Sequence, residues 1–304
     1  MRFSSVLKQI AKEPPFRLLV KLLLTMFATS VRTKANWDVS PRPAYLVGVL
    51  SAADEAARVG ISEISVIEFG VAGGEGLLAL QEIADAVEAE TRIRIVVYGF
   101  DTGKGLPDSG GDFRDHPDCW KAGDFPMDEL RLKQFLSSRS TLVVGDVADT
   151  VPTFVQKTRR SPIGFIAVDL DLYSSTCAAL QILTIPGKQM LLHVPIYFDD
   201  VAELHSHRFA GELLAIEEFN AGNGTVKIDQ WRGITDDRAF PESGWLKRMY
   251  LAHDLKAISK ATPFREPLRL QKRKSDAVET PIEESNKKPS SRAMSEYSRQ
   301  RNRP

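Results

Sequence analysis

Five points in this 304-residue chain have the residue types and spacing to do chemistry. Two are acidic. Asp169 and Asp171 stand two apart in Phe165-Ile166-Ala167-Val168-Asp169-Leu170-Asp171-Leu172-Tyr173-Ser174-Ser175-Thr176, and Asp199-Asp200 follow Tyr197-Phe198. Alternate residues of an extended segment share a face, so Asp169 and Asp171 are expected to point together. Carboxylates gathered in one crevice cannot all stay charged without a cation or protons, and oxygen-only ligation suits Mg²⁺ with waters retained. The expected ligands are Asp169, Asp199 and Asp200. The competing reading is that these acids cap helices and face water separately.

The third point is Val66-Ile67-Glu68-Phe69-Gly70-Val71-Ala72-Gly73-Gly74-Glu75-Gly76, an apolar run entering a glycine-rich turn and then a helical pattern. Glycines let backbone approach a ligand closely. A dinucleotide site needs G-x-G-x-x-G or A from the strand end, and Gly74-Glu75-Gly76-Leu77-Leu78-Ala79 meets that formula only four residues too late. Glu68 at the strand tip repels a pyrophosphate but suits the ammonium and sulfonium charges of S-adenosylmethionine. Its alternative is a capping carboxylate. The fourth point, Asp101 in Tyr98-Gly99-Phe100-Asp101-Thr102, can accept both ribose hydroxyls of a nucleoside. The fifth, Gly145-Asp146-Val147, offers Asp146 to an adenine amino group with apolar neighbours such as Val147 against the ring. Either Asp could instead cap the next helix.

These points must be positioned by regular elements. Short apolar runs at 65–69, 95–100, 141–144, 163–168 and 194–198 alternate with helical patterns, which predicts an α/β fold around a mostly parallel sheet. Each run ends in a small or acidic residue, and ligands of open α/β sheets bind beyond the carboxyl ends of the strands. A helix over about 43–60 leads into the first strand, and residues 5–30 predict one or two helices broken near Pro14 and Pro15. Leu19, Leu22, Leu23 and Phe27 there form an apolar face expected to lie against the body of the protein or a partner, with Leu22, Leu23 and Phe27 as a contact face for a second copy. The long segment 108–133 is expected to cover the substrate, with His116 and Trp120 as contacts, or else to be a surface insertion in which Trp120 packs. His205 and His207, just beyond Asp200, could reach the metal but are read as exposed loop side chains without a role. From 263 onward the composition turns to Lys, Arg, Ser, Glu and Pro and predicts disorder. The expected organisation is an N-terminal helical extension (1–42), a catalytic domain (43–262) and a basic tail (263–304).

Composition narrows the class. Lys plus Arg equals Asp plus Glu at 40 each, but residues 264–304 hold 11 basic and 6 acidic side chains. The remainder is therefore net negative, which argues against a nucleic-acid surface. Cys119 and Cys177 alone cannot build a disulfide framework, and a reducing, cytoplasmic setting fits. The apolar stretch from Leu18 to Ala28 is interrupted by Lys21 and is far shorter than the roughly 20 residues of a membrane crossing. Lys21 also interrupts what would be the core of a signal peptide.

Together these residues resemble the macrocin O-methyltransferase-like family of class I S-adenosylmethionine-dependent methyltransferases. The resemblance lies in Glu68-Phe69-Gly70-Val71-Ala72-Gly73-Gly74, Phe100-Asp101-Thr102-Gly103-Lys104-Gly105-Leu106-Pro107, the D-x-D-x-Y-x-S-T run from Asp169, and Asp199-Asp200 with Ala215-Ile216-Glu217-Glu218-Phe219. It implies a Rossmann-like fold and Mg²⁺-assisted methylation of a hydroxyl on a sugar or other small molecule. Gly70, Gly73, Gly74 and Asp101 would hold the cofactor, with Thr102 where the family often has serine. Asp169, Asp199 and Asp200 would bind Mg²⁺, and Asp169 would be the general base. The chain departs from the family in the stretch between Pro186-Gly187 and Asp199, which is longer than a simple turn and contains Pro195. The rival readings are a nicotinamide-dependent oxidoreductase and a non-catalytic interaction protein.

Overall fold

The computed structural model describes residues 13, 16–28, 30–157, 161–185, 189–236 and 238–261, without the side chains of 155–157. The tail from 263 and Pro186-Gly187 lie outside the described residues. Nine helices and seven strands are described: α1 (Phe16–Phe27), α2 (Val31–Asn36), α3 (Pro43–Arg58), β1 (Glu63–Phe69), α4 (Glu75–Thr91), β2 (Arg94–Asp101), α5 (Glu129–Lys133), β3 (Ser140–Val144), α6 (Val147–Lys157), β4 (Ile163–Val168), α7 (Tyr173–Leu180), β5 (His193–Phe198), α8 (Gly211–Gly222), β6 (Val226–Gln230), β7 (Met249–Asp254) and α9 (Leu255–Ile258).

The strands form one sheet in the order β3-β2-β1-β4-β5-β7-β6. β1 to β5 pair in parallel, while β7 runs antiparallel to both β5 and β6. This is a Rossmann-like α/β arrangement, a mostly parallel sheet between helices. β4 is buried along its whole length and β1 in all but its first residue, as continuous apolar runs in a parallel sheet require. The order reverses beside β1: the chain leaves β1 for β2 on one side and reaches β4 on the other. A crevice opens at such a switch point.

Register brings four of the strand tips level. Phe69 pairs with both Phe100 and Val168, and Val168 pairs with Phe198, so Gly70, Asp101, Asp169 and Asp199 leave their strands side by side. At Gly70 a Cβ would lie 1.7 Å from the Asp169 carbonyl oxygen, and φ is +83°. The tips of β1 and β4 touch there, and only glycine fits.

α1 turns Arg17, Val20, Lys21 and Leu24 toward the body. Arg17 pairs with Glu242 at 2.5 Å, and the Arg17 and Lys21 cations sit over the Phe240 ring. Its apolar side, including Leu22, Leu23 and Phe27, is exposed. Among the described residues no helix is long and apolar enough to cross a membrane.

Candidate active site

A cavity of about 600 Å³ lies at the carboxyl edge of the sheet, lined by the β1–α4 turn, the tips of β2 to β5 and the segment after β2. That volume is ordinary for a cofactor and a small substrate. Of the expected residues, Glu68, Gly70, Gly73, Asp101, Thr102, Trp120, Asp146, Val147, Asp169, Asp199 and Asp200 line it. Gly74 sits behind the turn at φ +90°, where a Cβ would strike Leu132.

Glu68 is buried beneath the start of α4, where a Cβ on Gly76 would lie 2.0 Å from its Oε1. The Tyr45 hydroxyl donates to that oxygen at 2.8 Å, while Oε2 is buried without a partner. Burial, above all, pushes the carboxyl up to about 8. At neutral pH it is therefore largely protonated, and the negative charge expected at this tip is muted. Asp101 shapes the turn. Its Oδ2 accepts from the Val71 and Ala72 amides at 2.9 Å each, and its Oδ1 from Gly103 at 2.7 Å. With about four acceptor sites on a carboxylate, it retains room for about one ribose hydroxyl rather than two. The Thr102 hydroxyl donates to the Gly105 carbonyl, and one Asp146 oxygen caps α6 through the Ala148 amide. The other Asp146 oxygen carries no such bond.

The acidic convergence differs in membership from the expectation. One carboxylate oxygen each from Asp169, Asp171 and Asp200 come within 4.8 Å of one another. Asp171 joins because of a tight turn, not strand alternation: its φ is +60°, and the Leu172 amide donates to the Leu170 carbonyl at 2.6 Å. Asp199 is held otherwise. Its Oδ1 accepts from the Tyr197 hydroxyl at 2.5 Å and from Arg248 at 2.8 Å, which directs that oxygen toward an internal cation. Burial first, and then mutual repulsion, raises Asp169 to about 7, Asp171 to about 8 and Asp200 to about 6. Such a group is short of positive charge.

Two side chains given no role by the sequence reading complete this corner. Glu212 of α8 is buried, accepts from the Asp200 amide at 2.8 Å and keeps Oε1 without a partner. His205 lines the cavity near Trp120, their rings 5.6 Å apart. His116 is buried against His205 and His207 rather than lining the main cavity, and burial followed by those neighbours lowers its pKa. Of seven buried side-chain atoms without a hydrogen-bond partner among the described residues, five belong to Glu68, Trp120, Asp200, His205 and Glu212. Orphaned polar atoms are costly unless something outside the chain satisfies them; four of these five residues line the cavity, and Glu212 lies behind Asp200. Three convergent oxygen donors fit a hard divalent cation, and the adjoining nucleoside-sized space fits a cofactor.

No protein-family model and no curated protein matches the chain. Solved structures do. CalS11, a calicheamicin methyltransferase, is 21% identical over 73% of this chain and 90% of its own, with a TM-score of 0.47. The O-methyltransferase NovP is 19% identical over 59% and 72%, with a TM-score of 0.45. The mycinamycin-pathway methyltransferase MycE, in complex with Mg and SAH, is 11% identical over 71% and 51%, with a TM-score of 0.35.

The segment between β2 and α5 contributes Trp120, Asp124 and Phe125 to the cavity wall. It is anchored below by Asp115, which accepts from the amide and hydroxyl of Ser174. Those bonds fasten the segment to the start of α7.

Proposed function

We propose that the chain is an S-adenosylmethionine-dependent O-methyltransferase acting on a hydroxyl of a small molecule, with Mg²⁺ held by Asp169, Asp171 and Asp200. One observation carries the reading: three carboxylates converge at the end of a cavity that also borders the glycine turn and Asp101. When bound, S-adenosylmethionine supplies an electrophilic methyl group and Mg²⁺ makes a nearby hydroxyl more acidic. The chain's own part is placement and proton removal. Gly70 and Gly73 let the ligand approach the turn, Asp101 takes one ribose hydroxyl, and Asp146 with Val147 flanks the adenine. Asp169 would hold the cation and take the acceptor hydroxyl's proton at a carboxylate oxygen. Trp120 and Phe125 exclude water above the acceptor, with His116 supporting that wall from behind.

The proposal includes a homodimer in which α1 meets a second copy, and a cytoplasmic setting. Thermal shift separates the cofactor reading from its rival: S-adenosylmethionine or S-adenosylhomocysteine should stabilise the protein and NAD should not. Stabilisation by NAD alone defeats the proposal.

A further inference from the structure

The cavity has a strongly one-sided charge. Glu68, Glu75, Asp101, Asp124, Asp146, Asp169, Asp171, Asp199, Asp200 and Glu203 line it, against Arg42 as the sole Arg or Lys among the described lining residues. Arg42 immediately precedes α3, and its half-buried guanidinium stands over the Tyr45 ring, 5.4 Å from the centroid. It interacts electrostatically with Tyr45, Glu68, Asp169 and Tyr197. Among the described residues no carboxylate comes within ion-pair distance of it. Its nearest glutamate partner, Glu68, is neutralised by burial, and Asp169 belongs to the acidic convergence. A cation at the edge of a cavity, left without an anion of its own, is a recognition element for one.

The cofactor reading names an anion of that kind. S-adenosylmethionine carries an α-carboxylate beyond its sulfur, and much of the glycine turn is already committed to the protein's own acceptors. The amides of Gly70, Val71, Ala72 and Gly74 already donate to Phe100, Asp101, Asp101 and Val71. We infer that Arg42 is the carboxylate-binding residue for the amino-acid end of the cofactor, a role that rests on the proposed cofactor and reaches a residue outside every motif of the sequence.

The test compares two ligands in calorimetry. One is S-adenosylhomocysteine; the other is S-adenosyl-3-thiopropylamine, the same molecule without its carboxylate. Arg42→Gln should weaken the first about 10- to 100-fold, as loss of a charge-assisted hydrogen bond does, and leave the second within about twofold. Arg42→Lys should recover part of the lost affinity, and it remains informative if the glutamine variant folds poorly. Equal weakening of both ligands, or weakening of neither, overturns the assignment and returns Arg42 to a structural role. Wild-type protein that binds neither ligand removes the cofactor reading itself, and the assignment with it.

Discussion

Glu68 shows how burial changes the meaning of a motif residue. As a letter in the sequence it is a negative charge at a strand tip. In the fold it is a neutral acid at pH 7, bonded to Tyr45 and raised from an ordinary 4.5 to about 8. A carboxyl whose folded value exceeds its unfolded one binds more protons when folded. Stability therefore falls as pH rises from about 4.5 through about 8. Glu68→Gln imitates the protonated acid and lacks this penalty, so its melting temperature should gain on wild type steadily from about pH 5 to about pH 8. A gap that does not change with pH would place the shift elsewhere. Asp171 and Asp199 offer a second contrast. Because Asp199 is tied to Tyr197 and Arg248 while Asp171 joins the convergent oxygens, Asp171→Asn should weaken Mg²⁺ binding about tenfold or more, and Asp199→Asn much less. Calorimetric Mg²⁺ titration reads the order, and the reverse order would make Asp199 the ligand. The sequence brought these acids to one edge, but it could not show which oxygens an internal Arg248 or Tyr197 would claim. Arg42 and Glu212 were illegible because each reaches the site from outside the motif segments, whereas His205, five residues after Asp200, was in view and set aside as an exposed loop side chain.

At the scale of elements, the strand tips constrain the site through backbone contact. Gly70 and Gly73 look equivalent in the sequence and are not. Gly70 has positive φ and no room for a Cβ, whereas Gly73 has nothing within 4 Å of its Cβ position and no positive φ. Gly70→Ala should cost more than about 3 kcal/mol by forcing β1 from β4, while Gly73→Ala should melt with wild type and lose only cofactor affinity. Denaturant unfolding with a parallel binding assay distinguishes them; a stable Gly70→Ala would refute the contact. The five parallel strands were legible because their apolar runs are short, bounded and spaced by helical patterns. The observed β4 coincides with its expected range, and the other four extend theirs by one or two residues. β6 and β7 escaped notice. β6 ends in exposed Asp229 and Gln230, β7 is only partly buried, and their pairing is antiparallel, so neither shows the continuous apolar run that marks a central strand.

For the whole molecule, every described residue that lines the cavity lies in the span from Arg42 to His205. Removing residues 264–304 should leave affinity for S-adenosylhomocysteine unchanged, where an interaction protein working through its basic tail would lose function. α1 raises the remaining question of assembly. Arg17 and Lys21 reach inward onto Phe240 and Glu242, and Phe16, Leu18, Leu19, Leu22, Leu23, Met26 and Phe27 face outward, each 47–71% exposed. A patch of that size without charge is a contact surface in most soluble proteins, and a two-fold pairing would bury the same patch on both copies. The expectation is a dimer in sedimentation velocity that Leu22→Glu with Leu23→Glu converts to a monomer. Cofactor affinity should survive the conversion, because α1 contributes nothing to the cavity wall. A wild-type protein that sediments as a monomer at about 50 μM, well above the Kd range of specific dimers, would leave α1 to some other partner.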